Sequence, residues 1–337
     1  MRILYIVNNK SKTSIPLRWC SYANMQKMNL HIYIKKYSEF VDLIREFYYS
    51  DIIHGHHIKS MFIAILLNVF FRKPTVYTVH GSTKYLSKVN LLMFNIILHY
   101  TDKLVFVNNI LHEELNLKQK CIIIDKYEII LNGVELDFNY VKKDVFKKYG
   151  VPPMKKYVFH PARFVEEKNH IRILQAFKNL IVKNPGFGLI LAGDGILRRE
   201  IENTLNELGI NKDVFLLGTI ERDEVYNFLG GSELFIMPSV SEGLNIAYLE
   251  AISMGCKILV SNIKQFTHPL RHYNIKPSEI NVFYCDPYDI NDIERVFTES
   301  LSSRKKTGYS AEKFSLFSML NKYKVMYSKV LLKKENI

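Results

Sequence analysis

Two glutamates, Glu242 and Glu250, stand eight residues apart in the segment P-S-V-S-E-G-L-N-I-A-Y-L-E-A-I-S-M-G at 238–255. An apolar run before this segment indicates a short buried strand, and apolar residues recur at helical spacing over 245–254. The pair therefore flanks a strand-to-helix turn. Carboxylates bind pairs of neighbouring hydroxyl groups well, and sugars offer such pairs. Helix capping by acidic residues explains the same spacing equally well.

Several groups with an affinity for phosphate accompany these glutamates. The backbone N–H groups of Gly243, Leu244 and Asn245 fall at the predicted helix N-terminus, where unpaired donors and the helix dipole favour an anion. Arg163 and Lys168 lie five residues apart in a loop after another predicted strand. An Arg fork and a Lys point charge together suit a diphosphate and stabilise charge on a departing phosphate. A solvated basic loop is the alternative interpretation.

Histidines and glycines also follow predicted strands. His80 comes directly after a strand, where it can donate a hydrogen bond to a substrate or take part in proton transfer, although a structural role is equally compatible. His54 and His56 would share one side of an extended chain, but no third ligand follows at suitable spacing, which argues against zinc. Gly193 and Gly195 let the backbone approach a ligand closely, as they would in any tight turn.

Strand-like and helical segments alternate along the whole chain, the pattern of a parallel sheet with helices on both faces. The pair Pro152–Pro153 indicates a hinge, so we expect an α/β fold with one domain over 1–152 and another over 153–313. A helical tail over 314–334 should pack across both and complete the first. Ligands of such sheets bind at the carboxyl ends of strands, so we expect a substrate site in the cleft between domains. The predicted strands are 3–7, 30–33, 52–54, 75–79, 103–107, 128–131, 157–160, 188–192, 214–217, 234–237 and 257–260.

Composition and charge narrow the class of protein further. The net charge is +13, and residues 1–150 hold 21 Lys and Arg against 12 Asp and Glu. This excess favours an anionic membrane surface as a partner over nucleic acid, because no basic-aromatic nucleic-acid motif is present; plain solvation is the alternative. The apolar runs 61–71 and 89–97 are too short to cross a bilayer, and residues 1–8 lack the pattern of a signal peptide. Four scattered cysteines fit a reducing cytoplasm.

Taken together, these segments resemble the retaining glycosyltransferases of family 4, which have the GT-B fold of two facing Rossmann-like domains. The resemblance spans nearly the whole chain, and the segment with the two glutamates is its most specific part. The resemblance also rests on the Arg163–Lys168 loop and on the motifs D-I-I-H-G-H (51–56), T-V-H-G (78–81), L-N-G-V-E (131–135), L-A-G-D-G (191–195) and L-G-T-I (217–220).

The resemblance implies a role for each matching residue. Glu250 would hold the ribose hydroxyls and Glu242 those of the transferred sugar, while Arg163 and Lys168 would clamp the diphosphate and His80 would face the donor sugar. Catalysis would then rest on His80, Arg163, Lys168 and Glu242. The remaining donor-side candidates are Gly193, Gly195, Thr219, Ile220, Gly243, Leu244 and Asn245, and the acceptor-side candidates are Asn9, His56 and Asn132.

The chain also departs from the family pattern. Residues 8–11 (N-N-K-S) lack the usual glycine pair near the acceptor, and Ala162 replaces the glycine common before the clamp arginine. The loop after residue 260 lacks the usual Pro-Glu pair, so its contacts are not carried over.

We therefore expect a retaining glycosyltransferase that moves a hexose or N-acetylhexosamine from a nucleotide-sugar, a UDP-sugar by preference, to a lipid-linked glycan. It would act without metal or other cofactor, on the cytoplasmic face of the membrane, in capsule or lipopolysaccharide synthesis. The alternatives are a nucleotide-sugar epimerase or an inverting transferase of the same fold, and a catalytically silent glycan-binding subunit.

Overall fold

The computed structural model describes residues 1–7, 31–36, 40–84, 86–135, 145–152, 156–242, 245–304 and 311–335. The chain divides into two compact units, one formed by Met1–Gly133 with Phe314–Ile337 and the other by Val134–Lys313. Each unit is built on a six-stranded sheet in which all strand pairs are parallel. The predicted α/β fold class is confirmed.

The first unit contains a parallel sheet in the order β2-β1-β3-β4-β5-β6. Its strands are β1 (Arg2–Val7), β2 (His31–Lys36), β3 (Ile52–Gly55), β4 (Thr75–Val79), β5 (Lys103–Phe106) and β6 (Tyr127–Ile129). Its helices are α1 (Phe40–Tyr49), α2 (Ile58–Phe71), α3 (Lys88–Tyr100), α4 (Asn109–Glu113), α5 (Leu117–Ile123) and, at the end of the chain, α13 (Leu316–Glu335).

Both faces of this sheet are covered, as the run of buried residues in each central strand requires. Alternate residues of β1 point to opposite faces: Leu4 and Ile6 belong to the core under α1 to α3, whereas Ile3 and Tyr5 belong to the core under α13. The C-terminal helix thus completes the first unit. It returns to this sheet because its buried residues, such as Tyr323, form an apolar stripe that matches the second face.

The second unit repeats the architecture in the order β12-β11-β10-β7-β8-β9. Its strands are β7 (Lys156–Pro161), β8 (Phe187–Ala192), β9 (Val214–Gly218), β10 (Leu234–Met237), β11 (Ile258–Ser261) and β12 (Val282–Cys285). Its helices are α6 (Val145–Lys148), α7 (His170–Lys183), α8 (Arg198–Leu208), α9 (Arg222–Gly231), α10 (Ile246–Ser253), α11 (Lys264–His272) and α12 (Ile290–Ser302).

Two features of the second unit differ from the sequence interpretation. Strand β12, which lies at the edge of the sheet beside β11, was not predicted. The segment before Pro152 belongs to the second unit rather than the first. Phe146 of α6 packs on Phe228 of α9 with ring centroids 5.0 Å apart, and the hydroxyl of Tyr149 donates to Glu224 at 2.8 Å. These contacts join the segment to its unit before the proline pair is reached.

Helix length bears on the membrane question. Within the described ranges, every helix is either too short or too polar to span a bilayer.

Candidate functional site

The loops at the carboxyl ends of four adjacent strands carry the residues predicted for the donor side. Strands β10, β7, β8 and β9 are neighbours in one parallel sheet, so their carboxyl ends lie along one edge. Arg163 and Lys168 follow β7, Gly193 and Gly195 follow β8, Thr219 and Ile220 follow β9, and Glu242 follows β10. This is the edge at which doubly wound sheets bind ligands.

Lys168 and Glu242 meet across two of these loops. A short 3₁₀ turn over Glu166–Lys168 places the Lys168 ammonium 2.5 Å from Oε1 of Glu242. The hydroxyl of Ser239 donates to the same oxygen at 2.6 Å. The Glu242 carboxylate is buried, with a side chain only 5% exposed, so both contacts hold it in one orientation. Sequence reasoning missed Ser239, although it stands three residues before the glutamate in the same loop.

Glu250 is held by a second cation. It lies on α10, buried, with its Oε1 2.6 Å from a guanidinium nitrogen of Arg222 and 3.1 Å from the hydroxyl of Tyr226. Burial raises the pKa of the Glu250 carboxyl, whereas the Arg222 charge and the Tyr226 hydrogen bond lower it. Arg222 also donates to the Tyr226 hydroxyl at 3.0 Å. The sequence signal for both residues is their i,i+4 spacing at the start of α9, directly after Thr219 and Ile220.

The two glycines after β8 make room for protein backbone. Gly193 has φ +148°, and a Cβ there would stand 2.0 Å from the carbonyl oxygen of Ala162. A Cβ on Gly195 would stand 2.4 Å from the carbonyl oxygen of Phe164. The two glycines thus let the loop that carries Arg163 approach closely. Their close approach to a ligand stays a prediction.

Arg163 itself is exposed, and its side chain makes no hydrogen bond or ion pair within the part of the chain that the structure describes. Its guanidinium therefore remains available to an anion. Asn245 caps α10, because its side-chain oxygen accepts from the backbone N–H of Tyr248 at 3.0 Å. The predicted phosphate ligands Gly243 and Leu244 lie outside the described residues.

The first unit brings three histidines together. Nδ1 of His56 and Nε2 of His80 lie 2.9 Å apart in a hydrogen bond, and the rings of His54 and His56 stack with centroids 4.3 Å apart. Nδ1 of His54 bonds the Tyr327 hydroxyl at 2.6 Å and its Nε2 bonds Thr78 at 2.8 Å. Helix α13 thus orients His54, the first of three histidine rings in contact, of which His80 is the last.

Burial keeps these rings neutral at physiological pH. It lowers the pKa of His54 and of His56 well below the ordinary value, and neighbouring histidine charge acts in the same direction. Burial and the nearby His57 lower the pKa of His80 to about 4. His80 is therefore suited to donate or accept a hydrogen bond as a neutral ring rather than to carry a charge.

A cavity of about 460 Å³ opens beside the His56–His80 pair. Residues at the start of α2, on β4, in the loop after β4 and on α3 form its walls. Its lining residues are His56, His57, Ile58, Lys59, Tyr77, Val79, His80, Gly81, Ser82, Thr83, Leu86, Asn90 and Phe94.

Asn132, the third acceptor-side candidate, does not line this cavity. It is buried after β6, and its side-chain oxygen accepts no hydrogen bond from described residues. Asn9 lies outside the described residues.

Solved structures share this fold over nearly the whole chain. Anabaena Alr3699/HepE in complex with UDP and glucose superposes with a TM-score of 0.76 at 14% identity, covering 98% of this chain and 100% of that one. Sucrose-phosphate synthase from Thermosynechococcus elongatus gives a TM-score of 0.75 at 16% identity, with coverage of 98% and 99%. The two parallel sheets and the residues at their carboxyl ends thus define a GT-B protein.

The chain belongs to the glycosyl transferases group 1 family, whose model matches residues 141–314. The Glycosyltransferase Family 4 model matches residues 21–138.

Curated relatives are similar to parts of the chain. The UDP-Gal:alpha-D-GlcNAc-diphosphoundecaprenol alpha-1,3-galactosyltransferase of Escherichia coli is 30% identical over 231 residues, which are 63% of this chain and 58% of that protein. The capsular polysaccharide biosynthesis glycosyltransferase CapH of Staphylococcus aureus is 25% identical over 292 residues, covering 81% and 75%. The putative glycosyltransferase EpsF of Bacillus subtilis is 32% identical over 142 residues, covering 41% and 36%. The chain thus spans about a third of the Bacillus protein and over half of the Escherichia protein.

Proposed function

We propose that this protein is a retaining glycosyltransferase that moves a hexose or N-acetylhexosamine from a nucleotide-sugar to a glycan. The observation that carries the proposal is the pair of oriented, buried carboxylates after β10, one held by a cation from the turn after β7 and the other by a cation at the start of α9. Glu242 is bonded to Lys168 and Glu250 to Arg222. Both contacts fall on Oε1 of the glutamate, so the geometry supports a second oxygen directed to sugar hydroxyls.

In this proposal the ends of the donor have separate partners. Glu250 binds the ribose of the nucleotide, which we take to be UDP, and Glu242 binds the transferred sugar. Arg163 and Lys168 neutralise the diphosphate as the bond between the anomeric carbon and the phosphate oxygen breaks. The acceptor hydroxyl attacks the anomeric carbon from the same face, and its proton passes to the leaving phosphate oxygen. These residues supply binding and charge stabilisation, so the proposed reaction uses no metal.

His80 and the cavity beside it form the acceptor side of the proposal. A neutral His80 held by His56 offers one ring nitrogen to a sugar hydroxyl, which supports hydrogen bonding during transfer rather than charge stabilisation. The cavity is large enough for a monosaccharide unit, given that ligand pockets of about 300–1,000 Å³ hold small molecules.

The acceptor and the cellular setting are proposed from the relatives. The Escherichia coli relative is named for transfer to a diphosphoundecaprenol-linked sugar, and the Staphylococcus aureus relative for capsular polysaccharide biosynthesis. We therefore propose a lipid-linked glycan acceptor and a role in surface polysaccharide synthesis, of capsule or lipopolysaccharide. The basic first half supports peripheral association with the cytoplasmic face of the membrane.

A donor screen tests the proposal without knowledge of the acceptor. The protein is incubated with a panel of UDP-, GDP- and ADP-sugars, and released nucleoside diphosphate is measured; we expect release from a UDP-sugar. Lys168→Ala should lower the rate by about 10²–10³-fold, since it removes a charge that stabilises the leaving group. Lys183→Ala is the matched control. Lys183 forms an ion pair with Glu294, 2.7 Å long, that is not part of the site.

Two results would contradict the proposal. The first is the absence of both nucleotide release and nucleotide binding across the whole panel. The second concerns stereochemistry: once a productive acceptor is found, an inverted anomeric configuration by NMR would show that the transferase is not a retaining one.

A further inference from the structure

Asn169 lies between the 3₁₀ turn that carries Lys168 and the start of α7. Its backbone is left-handed, with φ +63°, a conformation that favours Gly and, among other residues, Asn and Asp. The residue is also buried, with 5% of its surface exposed. A buried side-chain amide has to find partners for two N–H groups and one oxygen. Asn169 therefore depends on partners inside the protein.

Three elements supply these partners. The side-chain nitrogen of Asn169 donates to the carbonyl oxygens of Pro238, at 2.9 Å, and of Pro287, at 2.7 Å. Its side-chain oxygen accepts from the guanidinium of Arg172 on α7 at 3.0 Å. These partners set the orientation of the amide, because the nitrogen and not the oxygen can donate to two carbonyls. One side chain thus joins the Lys168 turn to the loops after β10 and β12.

The loop after β10 is tied to the same turn at two further points. The backbone N–H of Val240 donates to the carbonyl oxygen of Glu167 at 2.9 Å, and Lys168 pairs with Glu242 at 2.5 Å. Lys168 and Glu242 are both assigned to the donor in the proposed function. A main-chain bond and the buried amide of Asn169 thus hold the turn and the loop together independently of the charged pair.

The position of the Lys168 backbone matters because a lysine does not place its own charge. The ammonium is a point charge on a long, flexible carbon chain, so its location depends on where the backbone is held and on what packs around the chain. A displacement of about 1 Å can lower the rate of an enzymatic step by about 10²-fold. A rigid turn is therefore required for a lysine that neutralises a leaving group.

We propose that Asn169 is a positioning residue for Lys168. Its amide fixes the turn 166–169 against the loops after β10 and β12, and thereby places the Lys168 ammonium at the donor diphosphate. The loop after β12 becomes part of this support, although it holds none of the residues predicted for the donor. The placement at the diphosphate rests on the proposed glycosyltransferase function, whereas the coupling of the three loops does not.

Asn169→Gly separates the amide from the backbone conformation. Glycine adopts the left-handed φ without strain, so the variant loses the side-chain hydrogen bonds and keeps the turn. With the nucleotide-sugar that the donor screen identifies, at saturating concentration, we expect release of nucleoside diphosphate to fall about 10–100-fold. In the Lys168→Ala background the same substitution should lower the rate by at most about threefold, because the group that Asn169 places is absent. An equal loss in both backgrounds would overturn the proposal, as would an Asn169→Gly rate within about twofold of wild type.

Amide hydrogen exchange of the full chain tests the coupling of the loops without any substrate. We expect Asn169→Gly to speed exchange of the Val240 N–H at least about tenfold and to leave exchange in β8 at the wild-type level. Unchanged exchange at Val240 would overturn the coupling. If exchange rises as expected but the donor screen fails, the enzymatic proposal alone is refuted.

The matched control is Asn274→Gly. Asn274 is also left-handed, with φ +52°, but it is exposed and follows α11, near the amino end of β12. The same substitution there should change neither the rate nor the exchange of Val240. An effect as large as that of Asn169→Gly would assign the change to the introduced glycine and overturn the proposal.

Discussion

Replacing Glu250 by Gln tests the proposed ribose contact at the residue with the best-defined surroundings. The side chain keeps its shape and one oxygen acceptor but loses its charge. In the structure that charge faces Arg222 at 2.6 Å, with the Tyr226 hydroxyl at 3.1 Å on the same oxygen. A Gln can still accept from both groups. The substitution therefore changes the electrostatics of the site more than its packing.

The expected loss of affinity follows from the type of hydrogen bond removed. A hydrogen bond to a charged group contributes about 1.5–3 kcal/mol, and the neutral amide retains only part of it. Loss of this contribution corresponds to a dissociation constant for UDP that rises about 10–100-fold. The effect should depend on the ribose hydroxyls. We expect wild-type protein to prefer UDP over 2′-deoxy-UDP and Glu250→Gln to lose most of that preference.

The same substitution also affects stability. Breaking a fully buried ion pair costs about 3–5 kcal/mol, but the Arg222 side chain is 25% exposed and keeps water contact. We therefore expect a loss of about 1–2 kcal/mol in the free energy of unfolding. Glu233→Gln is the matched control. Glu233 pairs with Lys257 at 2.7 Å in the same unit, at the amino end of β10 rather than the carboxyl end.

Isothermal titration calorimetry with UDP and 2′-deoxy-UDP measures the affinities, and thermal unfolding measures stability. Glu233→Gln should bind UDP as the wild type does. The reasoning would be refuted if Glu250→Gln bound UDP within about twofold of wild type while remaining folded. It would also be refuted if the variant kept the full preference for UDP over the deoxynucleotide, because the lost contact would then not involve that hydroxyl.

Two further predictions concern the second unit. His160 is fully buried and donates from Nδ1 to the Ile236 carbonyl at 2.7 Å, and burial lowers its pKa to about 4. Between pH 6.5 and 4 the unfolded chain binds a proton that the folded protein does not, so stability should fall by about 1 kcal/mol for this residue from pH 7.5 to 5.5. Denaturant unfolding of wild type and His160→Asn at both pH values checks this, and an equal pH dependence in the two proteins would exclude His160 as a source. Gly193→Ala should lower the free energy of unfolding by several kcal/mol, because the added Cβ would overlap the Ala162 carbonyl oxygen. Gly209 has φ +65°, and no atom lies within 4 Å of a Cβ built there, so Gly209→Ala should lower the free energy of unfolding by only about 1 kcal/mol. Thermal melts that rank the two variants in the opposite order would contradict the packing argument.

Much of the fold is readable from local sequence. The eleven predicted strands match β1 to β11 within a few residues, because each is a short apolar run bounded by turn residues. Helix α10 likewise appears where helical spacing predicts it. The unpredicted β12 is stabilised by pairing with β11 rather than by its own pattern. The unit boundary was misplaced for a similar reason, since Phe146 joins the second unit through a ring contact that leaves no local signal.

The sequence by itself determined the two alternating α/β units and the chemical types at the site, because strand periods and motifs depend on residues close together in the chain. Only the tertiary structure decided which groups meet. Arg222 reaches Glu250 across 28 positions and Tyr327 reaches His54 across 273, contacts that exist because parallel strands align their carboxyl ends and α13 returns to the first sheet. The neighbour that requires glycine at position 193 is likewise set by the tertiary structure. The chain packs its own backbone against that glycine, and no local pattern distinguishes such a neighbour from a ligand.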